Sequence, residues 1–242
     1  MANTNLTFAN DIAEYFFQGM VPPYLQLLSS TGWTSTNWTG SWAAGWTHTA
    51  GNTTALTNTA AAVSGNYYTV TITSVAQTAG SFTVSFGGVT SSTYSTSGAY
   101  SWSFQAVSAG TLSITPTSDF NGTIILGIAN SYYYVALHTS DPTASGTQTS
   151  NEVSYTSYAR VAVIRTSAGF TATSNVLSNT ALVSFPICTG GSATATYFSI
   201  GVLNTGSGEI LYSGLLANVG GLAISNGIQP SFSAGVLAVT LS

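Results

Sequence analysis

Polar and apolar residues alternate along most of the chain, and the alternation predicts a protein built from short strands. Ser81-Phe82-Thr83-Val84-Ser85-Phe86 alternates strictly before Gly87-Gly88 turns the chain. Thr111-Leu112-Ser113-Ile114-Thr115 alternates up to Pro116, and residues 67–73 form an unbroken β-branched and aromatic run. Further strands are expected over 132–137, 159–165, 181–185, 194–200, 209–212 and 235–241. Gly, Asn, Ser and Pro separate these runs, which reads as an all-β chain of β-sandwich or jelly-roll units. No fixed repeat period is present, which argues against a solenoid or a propeller.

One segment breaks the pattern. Phe8, Ile12, Tyr15 and Phe16 recur at i, i+4, i+7 and i+8, the stripe of a short amphipathic helix over residues 8–18. Thr7 stands where a cap belongs, Asp11 and Glu14 favour the N-terminal half of the dipole, and Gly19 supplies a left-handed exit. Pro22-Pro23 then forbids continuation. The stripe would form an apolar patch on a monomer, so it is expected to pack on the C-terminal part of the chain or on a neighbouring subunit.

Composition narrows the function more than the fold. Of the 242 residues only 3% are charged, against roughly 25% in an ordinary globular protein. Lysine is absent, the cations are Arg160 and Arg165, and the acids are Asp11, Glu14, Asp119, Asp141, Glu152 and Glu209. Two arginines cannot line a nucleic-acid groove or a basic membrane-surface helix, so neither partner is expected. No apolar run approaches the ~20 residues of a membrane helix. No basic residue precedes a hydrophobic stretch at the N-terminus, so a Sec-type leader is not expected. The single Cys188 excludes an intrachain disulfide.

The segment Tyr134-Val135-Ala136-Leu137-His138-Thr139-Ser140-Asp141-Pro142, with Gly146-Thr147-Gln148, Asn151-Glu152-Val153 and Tyr155-Thr156-Ser157-Tyr158-Ala159-Arg160, resembles a group of bacteriophage virion proteins. Phe185-Pro186-Ile187-Cys188-Thr189-Gly190-Gly191, Phe198-Ser199-Ile200-Gly201 and Ile210-Leu211-Tyr212-Ser213-Gly214 continue the likeness. Members of that group pair a short N-terminal helix with such a β domain and are described as structural or tail-fibre proteins. Here about a hundred residues separate the two. That stretch holds all five tryptophans, no arginine and Asp119 as its only acid. Gly32-Trp33, Gly45-Trp46-Thr47-His48, residues 80–88 and Pro116-Thr117-Ser118-Asp119-Phe120-Asn121-Gly122 resemble inserted carbohydrate-binding-module β-sandwiches. The resemblance implies a discontinuous virion-docking domain, residues 1–28 plus 129–242, and an inserted sandwich, residues 29–128.

Candidate chemistry is sparse. Glycoside hydrolysis needs two carboxylates, and Asp119 sits alone in a turn-forming Ser-Asp-Phe-Asn-Gly context. His48 and His138 lie far apart with no further ligands nearby, so no metal site is expected, and no cofactor is implied. Cys188 reads as a small buried residue. Arg160 needs acceptors for its five donors, and Glu152 is the favoured carboxylate partner for a structural ion pair. Trp33, Trp38, Trp42 and Trp46 either fill a core or subunit interface or stack on sugar faces. In the Tyr132-Tyr133-Tyr134 run, alternation puts Tyr132 and Tyr134 on one face and Tyr133 on the other. With Phe8, Ile12, Tyr15 and Phe16, these tyrosines are the candidate subunit-interface residues.

The resulting expectation is a non-enzymatic structural protein on the exterior of a phage particle. It would form a symmetric homo-oligomer, a trimer by family analogy, held by uncharged contacts. Capsid decoration, docked on other virion proteins such as the major capsid protein, is the leading placement. The alternative is a tail-fibre or tail-tip accessory acting as an adhesin for host-surface glycan.

Overall fold

The computed structural model describes residues 3–4, 6–18, 25–217 and 220–240. The chain starts with β1 (Asn3–Thr4) and α1 (Leu6–Gln18). Next come β2 (Trp33–Thr34), β3 (Trp38–Ser41), β4 (Gly45–His48), β5 (Leu56–Ala61), β6 (Tyr67–Ala79) and β7 (Phe82–Phe86). They are followed by β8 (Val89–Thr90), β9 (Gly98–Gln105), β10 (Thr111–Pro116) and β11 (Asn121–Asn130). The remainder comprises β12 (Tyr132–His138), β13 (Val161–Ile164), β14 (Phe170–Thr173), β15 (Val176–Asn179), β16 (Val183–Ser184) and β17 (Ser192–Ala195). The last strands are β18 (Tyr197–Gly201), β19 (Ile210–Leu215), β20 (Leu222–Ser225), β21 (Ser231–Phe232) and β22 (Ala238–Thr240). The protein is all-β with one short helix.

Two compact units emerge, Met1–Val21 with Tyr132–Ser242, and Pro22–Ser131. The second is a sandwich of two five-stranded antiparallel sheets, ordered β2-β5-β10-β7-β8 and β3-β4-β11-β6-β9. Its alternation does what period-two sequences dictate: Tyr68, Val70 and Ile72 of β6, Phe82, Val84 and Phe86 of β7, and Ile124, Leu126 and Ile128 of β11 all enter one core. The sandwich begins earlier than residue 29, because Leu27 N donates to Ile128 O at 2.6 Å and Leu28 is buried in that core. Gly80 is required where β6 turns into β7. Its φ is +67°, and a Cβ there would lie 2.3 Å from Phe120 N.

The other unit is layered around the sheet β1-β19-β18-β12-β13, with a three-stranded sheet β14-β15-β22 and the pairs β16-β21 and β17-β20. Tyr134 to His138 of β12, Phe198 to Gly201 of β18 and Ile210 to Gly214 of β19 are buried without alternation. Central strands covered on both faces lose the period-two signature, which explains the continuous apolar run in Tyr-Val-Ala-Leu.

Several local expectations are corrected. The helix starts at Leu6, so Thr7 lies inside it rather than capping it. The run 194–200 is two strands: β17 pairs with β20 while β18 pairs with β12 and β19. Thr196 breaks them apart, its N–H donating to His138 O at 2.8 Å and its hydroxyl to Thr139 O at 2.7 Å. The strand expected over 159–165 shortens to Val161–Ile164, and an eight-residue strand, β9, forms where none was expected.

Candidate functional site

The tryptophans divide into two groups. Trp38 is 4% and Trp46 is 8% exposed. Trp38 packs 4.7 Å from the His48 ring and 6.0 Å from Phe120, and its Nε1 donates to Thr54 O at 2.8 Å. His48 is itself fully buried, its Nδ1 2.7 Å from Phe120 O and its Nε2 3.1 Å from Asn52 Oδ1. Trp33 and Trp42 are only half-buried, with rings stacked at 5.9 Å and 25°, and Trp33 also lies 5.3 Å from Trp46. Trp42 reaches Trp33 because it sits in the turn between β3 and β4, flanked by Gly40 and Gly45, both at positive φ. The Trp46 Nε1 is buried without an acceptor. Of these four tryptophans, only Trp33 and Trp42 keep ring surface open to a sugar.

A second aromatic row lies on β9. Tyr100, Trp102 and Phe104 share one face of the strand and are half-buried, with Trp102 stacked on Phe104 at 4.0 Å and 21°. The sequence signal is the alternation Tyr-Ser-Trp-Ser-Phe over residues 100–104.

In the other unit, Arg160 and Glu152 form a largely buried network. Arg160 Nε donates to Glu152 Oε1 at 2.7 Å and Nη2 to Oε2 at 2.8 Å, a bidentate pair. Arg160 also donates to the carbonyls of Leu203 at 3.0 Å and Gly206 at 2.8 Å. The Tyr158 hydroxyl donates to Glu152 Oε1 at 3.0 Å and accepts from Leu137 N at 3.1 Å. Burial, followed by the Glu152 charge, pushes the Tyr158 phenol far up, so it stays a donor.

His138 is fully buried. Its Nδ1 is 2.8 Å from Ser150 O and its Nε2 2.8 Å from Ser199 Oγ. The carbonyl can only accept, so Nδ1 carries the proton and Nε2 accepts from Ser199. Burial holds the imidazole below its ordinary pKa. Although a Ser–His pair is the geometry of an activated nucleophile, Ser199 is 0% exposed, which denies any substrate access. Cys188 is likewise buried and its thiol donates to Gly190 O at 3.3 Å. Among the described residues no three His, Cys, Asp or Glu side chains converge.

The expected interface residues fall in different places. Tyr134 is 2% exposed and belongs to the core, where its carbonyl accepts from Gln148 Nε2 at 3.3 Å. Tyr132 and Tyr133 are half-buried. Phe8 packs edge-on against Tyr212 at 5.1 Å, and Ile12 is 38% exposed. The side chains of Tyr15 and Phe16 lie outside the described residues. Phe8, Tyr133, Arg165, Phe170 and Tyr212 wall a cavity of about 380 Å³. The Arg165 guanidinium lies 5.9 Å from the centre of the Tyr133 ring. Burial and the neighbouring Asp11 carboxylate push Glu209 up to about 7.

Residues 129–240 match the family model described as podophage GP4 fiber I protein gp80, just under half of the chain. The match starts at the last two residues of β11, and the rest of the sandwich up to that point lies outside it. Comparison with curated proteins and with solved structures gives no match.

Proposed function

We propose that this chain is a non-enzymatic structural protein of a phage fibre, attached through residues 1–21 and 132–242 and presenting residues 22–131 as an adhesin module for host-surface glycan. A place on the exterior of the virion follows from the fibre-family match. The observation that carries the reading is the near coincidence of that match with one of the two compact units. An inserted module can then be displayed without disturbing the attachment fold. On the sandwich, the half-buried Trp33–Trp42 pair supports sugar stacking. In the attachment unit, Ile12, Tyr132 and Tyr133 remain accessible for an uncharged contact between copies, proposed as a symmetric trimer.

Capsid decoration is the second reading, favoured by the compactness of both units, because an elongated fibre shaft is built from extended repeats. Immunogold electron microscopy of purified virions, with an antibody to the sandwich, separates the two. Label on the tail fibres is expected. Label distributed over the capsid would replace the fibre reading with decoration, and unlabelled virions would overturn both.

A further inference from the structure

We infer that the edge strand β9 is a self-association surface, pairing antiparallel with β9 of a second copy so that Trp102 faces its own counterpart. This contact goes beyond the attachment proposed above, since it uses only the sandwich.

Strand length singles it out. The other sandwich edges, β2, β3 and β8, have 2, 4 and 2 residues, whereas β9 has 8. Its pairing with β6 is unbroken from Tyr67↔Gln105 to Ser74↔Gly98. It is the terminal strand of its sheet, so among the described residues no strand meets the alternate N–H and C=O groups along its outer edge. Natural edges are protected by lysine, proline, bulges or inward charges. Gly98–Gln105 carries none of these.

The residues on the strand also fit a twofold contact. Tyr-Ser-Trp-Ser-Phe reads nearly the same in both directions about Trp102. Antiparallel pairing centred there sets aromatic residues opposite aromatic residues and Ser101 opposite Ser103 of the other copy, favourable cross-strand neighbours. Among the described residues no strand flanks the half-buried row of Tyr100, Trp102 and Phe104 on its outer side, and a second β9 would supply one. A slip by one residue would turn the aromatic rows to opposite faces, so the register is specified. Charge permits the contact. Residues 67–105 contain no Asp, Glu, Lys, Arg or His, so two identical edges meet without repulsion at any ionic strength.

Eight residues at about 3.4 Å each make a strip about 27 Å long. With the aromatic row it buries on the order of 400 Å² per copy, about half a standard interface. The contact is therefore weak between free chains and strong only where attachment raises the local concentration.

Sedimentation of the full chain tests this at concentrations up to about 1 mM, the range suited to so small an interface. The wild type is expected to associate in even multiples of whatever assembly the rest of the chain forms. S101K/S103K places lysines opposite lysines and should weaken this step at least about tenfold, halving the assembled mass. S101K/S103E places each new lysine opposite a new glutamate and should restore it. Both variants lose the 2.8 Å bond between Thr69 and Ser103 equally, and unchanged thermal unfolding verifies the fold. A wild type that shows no such step, an S101K/S103K mass equal to wild type, or an S101K/S103E protein as dissociated as S101K/S103K would overturn the inference. None of these results bears on where the virions are labelled.

Discussion

Replacing Glu152 by alanine should destabilise the attachment unit by about 3 kcal/mol, well above the ~0–1 kcal/mol of an exposed ion pair. The side chains of Arg160 and Glu152 are only 3% and 16% exposed. Removing one member of a desolvated pair costs about 3–5 kcal/mol, because the other charge stays buried. Two features place the value at the lower end. Arg160 keeps the Leu203 and Gly206 carbonyls as acceptors, and Glu152 retains some contact with water. Against that, the Tyr158 hydroxyl loses its acceptor. At about 4 °C per kcal/mol for a unit of about 130 residues, its midpoint should fall by about 12 °C. Differential scanning calorimetry can assign the loss to one of two transitions, and the sandwich transition should not move. Removing both charges in E152L/R160M should recover more than half of the loss, since two apolar side chains leave no buried charge behind. A loss below about 1 kcal/mol for E152A, or a double variant less stable than E152A by the full effect of R160M, would refute the buried-pair reasoning.

Three further outcomes are expected. Glu209 holds its proton up to about pH 7 in the fold but ionises near 4.3 when unfolded; stability should therefore fall as pH rises from about 4.5 to 7, and E209Q should flatten that decline in thermal melts. His138 has the opposite sign: its lowered folded pKa makes stability fall as pH drops below about 6.5, and S199A, which leaves the imidazole Nε2 without its donor, should cost about 1–3 kcal/mol by urea titration. W38A should destabilise the sandwich by about 3–5 kcal/mol, whereas W42A should leave its melting nearly unchanged and abolish retention on a host-polysaccharide array; retention by W42A would remove the Trp33–Trp42 pair as the sugar platform.

Local chemistry made several features legible in the chain. Alternation in β7 and β10, the helical stripe led by Phe8 and the scarcity of charge all follow from residue order and composition, so the all-β class and the single helix are written there. The need of Arg160 for a carboxylate is also local, since a guanidinium in an uncharged strand must find acceptors somewhere. What tertiary structure alone decided is which faces and edges are covered. Trp33, Trp38, Trp42 and Trp46 are alike in sequence, yet Trp38 is enclosed by His48 and Phe120 while Trp42 stays half open on a turn. Tyr134 lost its place as an interface residue because β12 is a central strand covered on both sides, and β9 is left with an open edge because, among the described strands, it pairs with β6 alone. A period of two assigns side chains to faces, but strand order arises from pairings between distant segments. The decision between core, platform and edge is therefore made only when the sheets assemble.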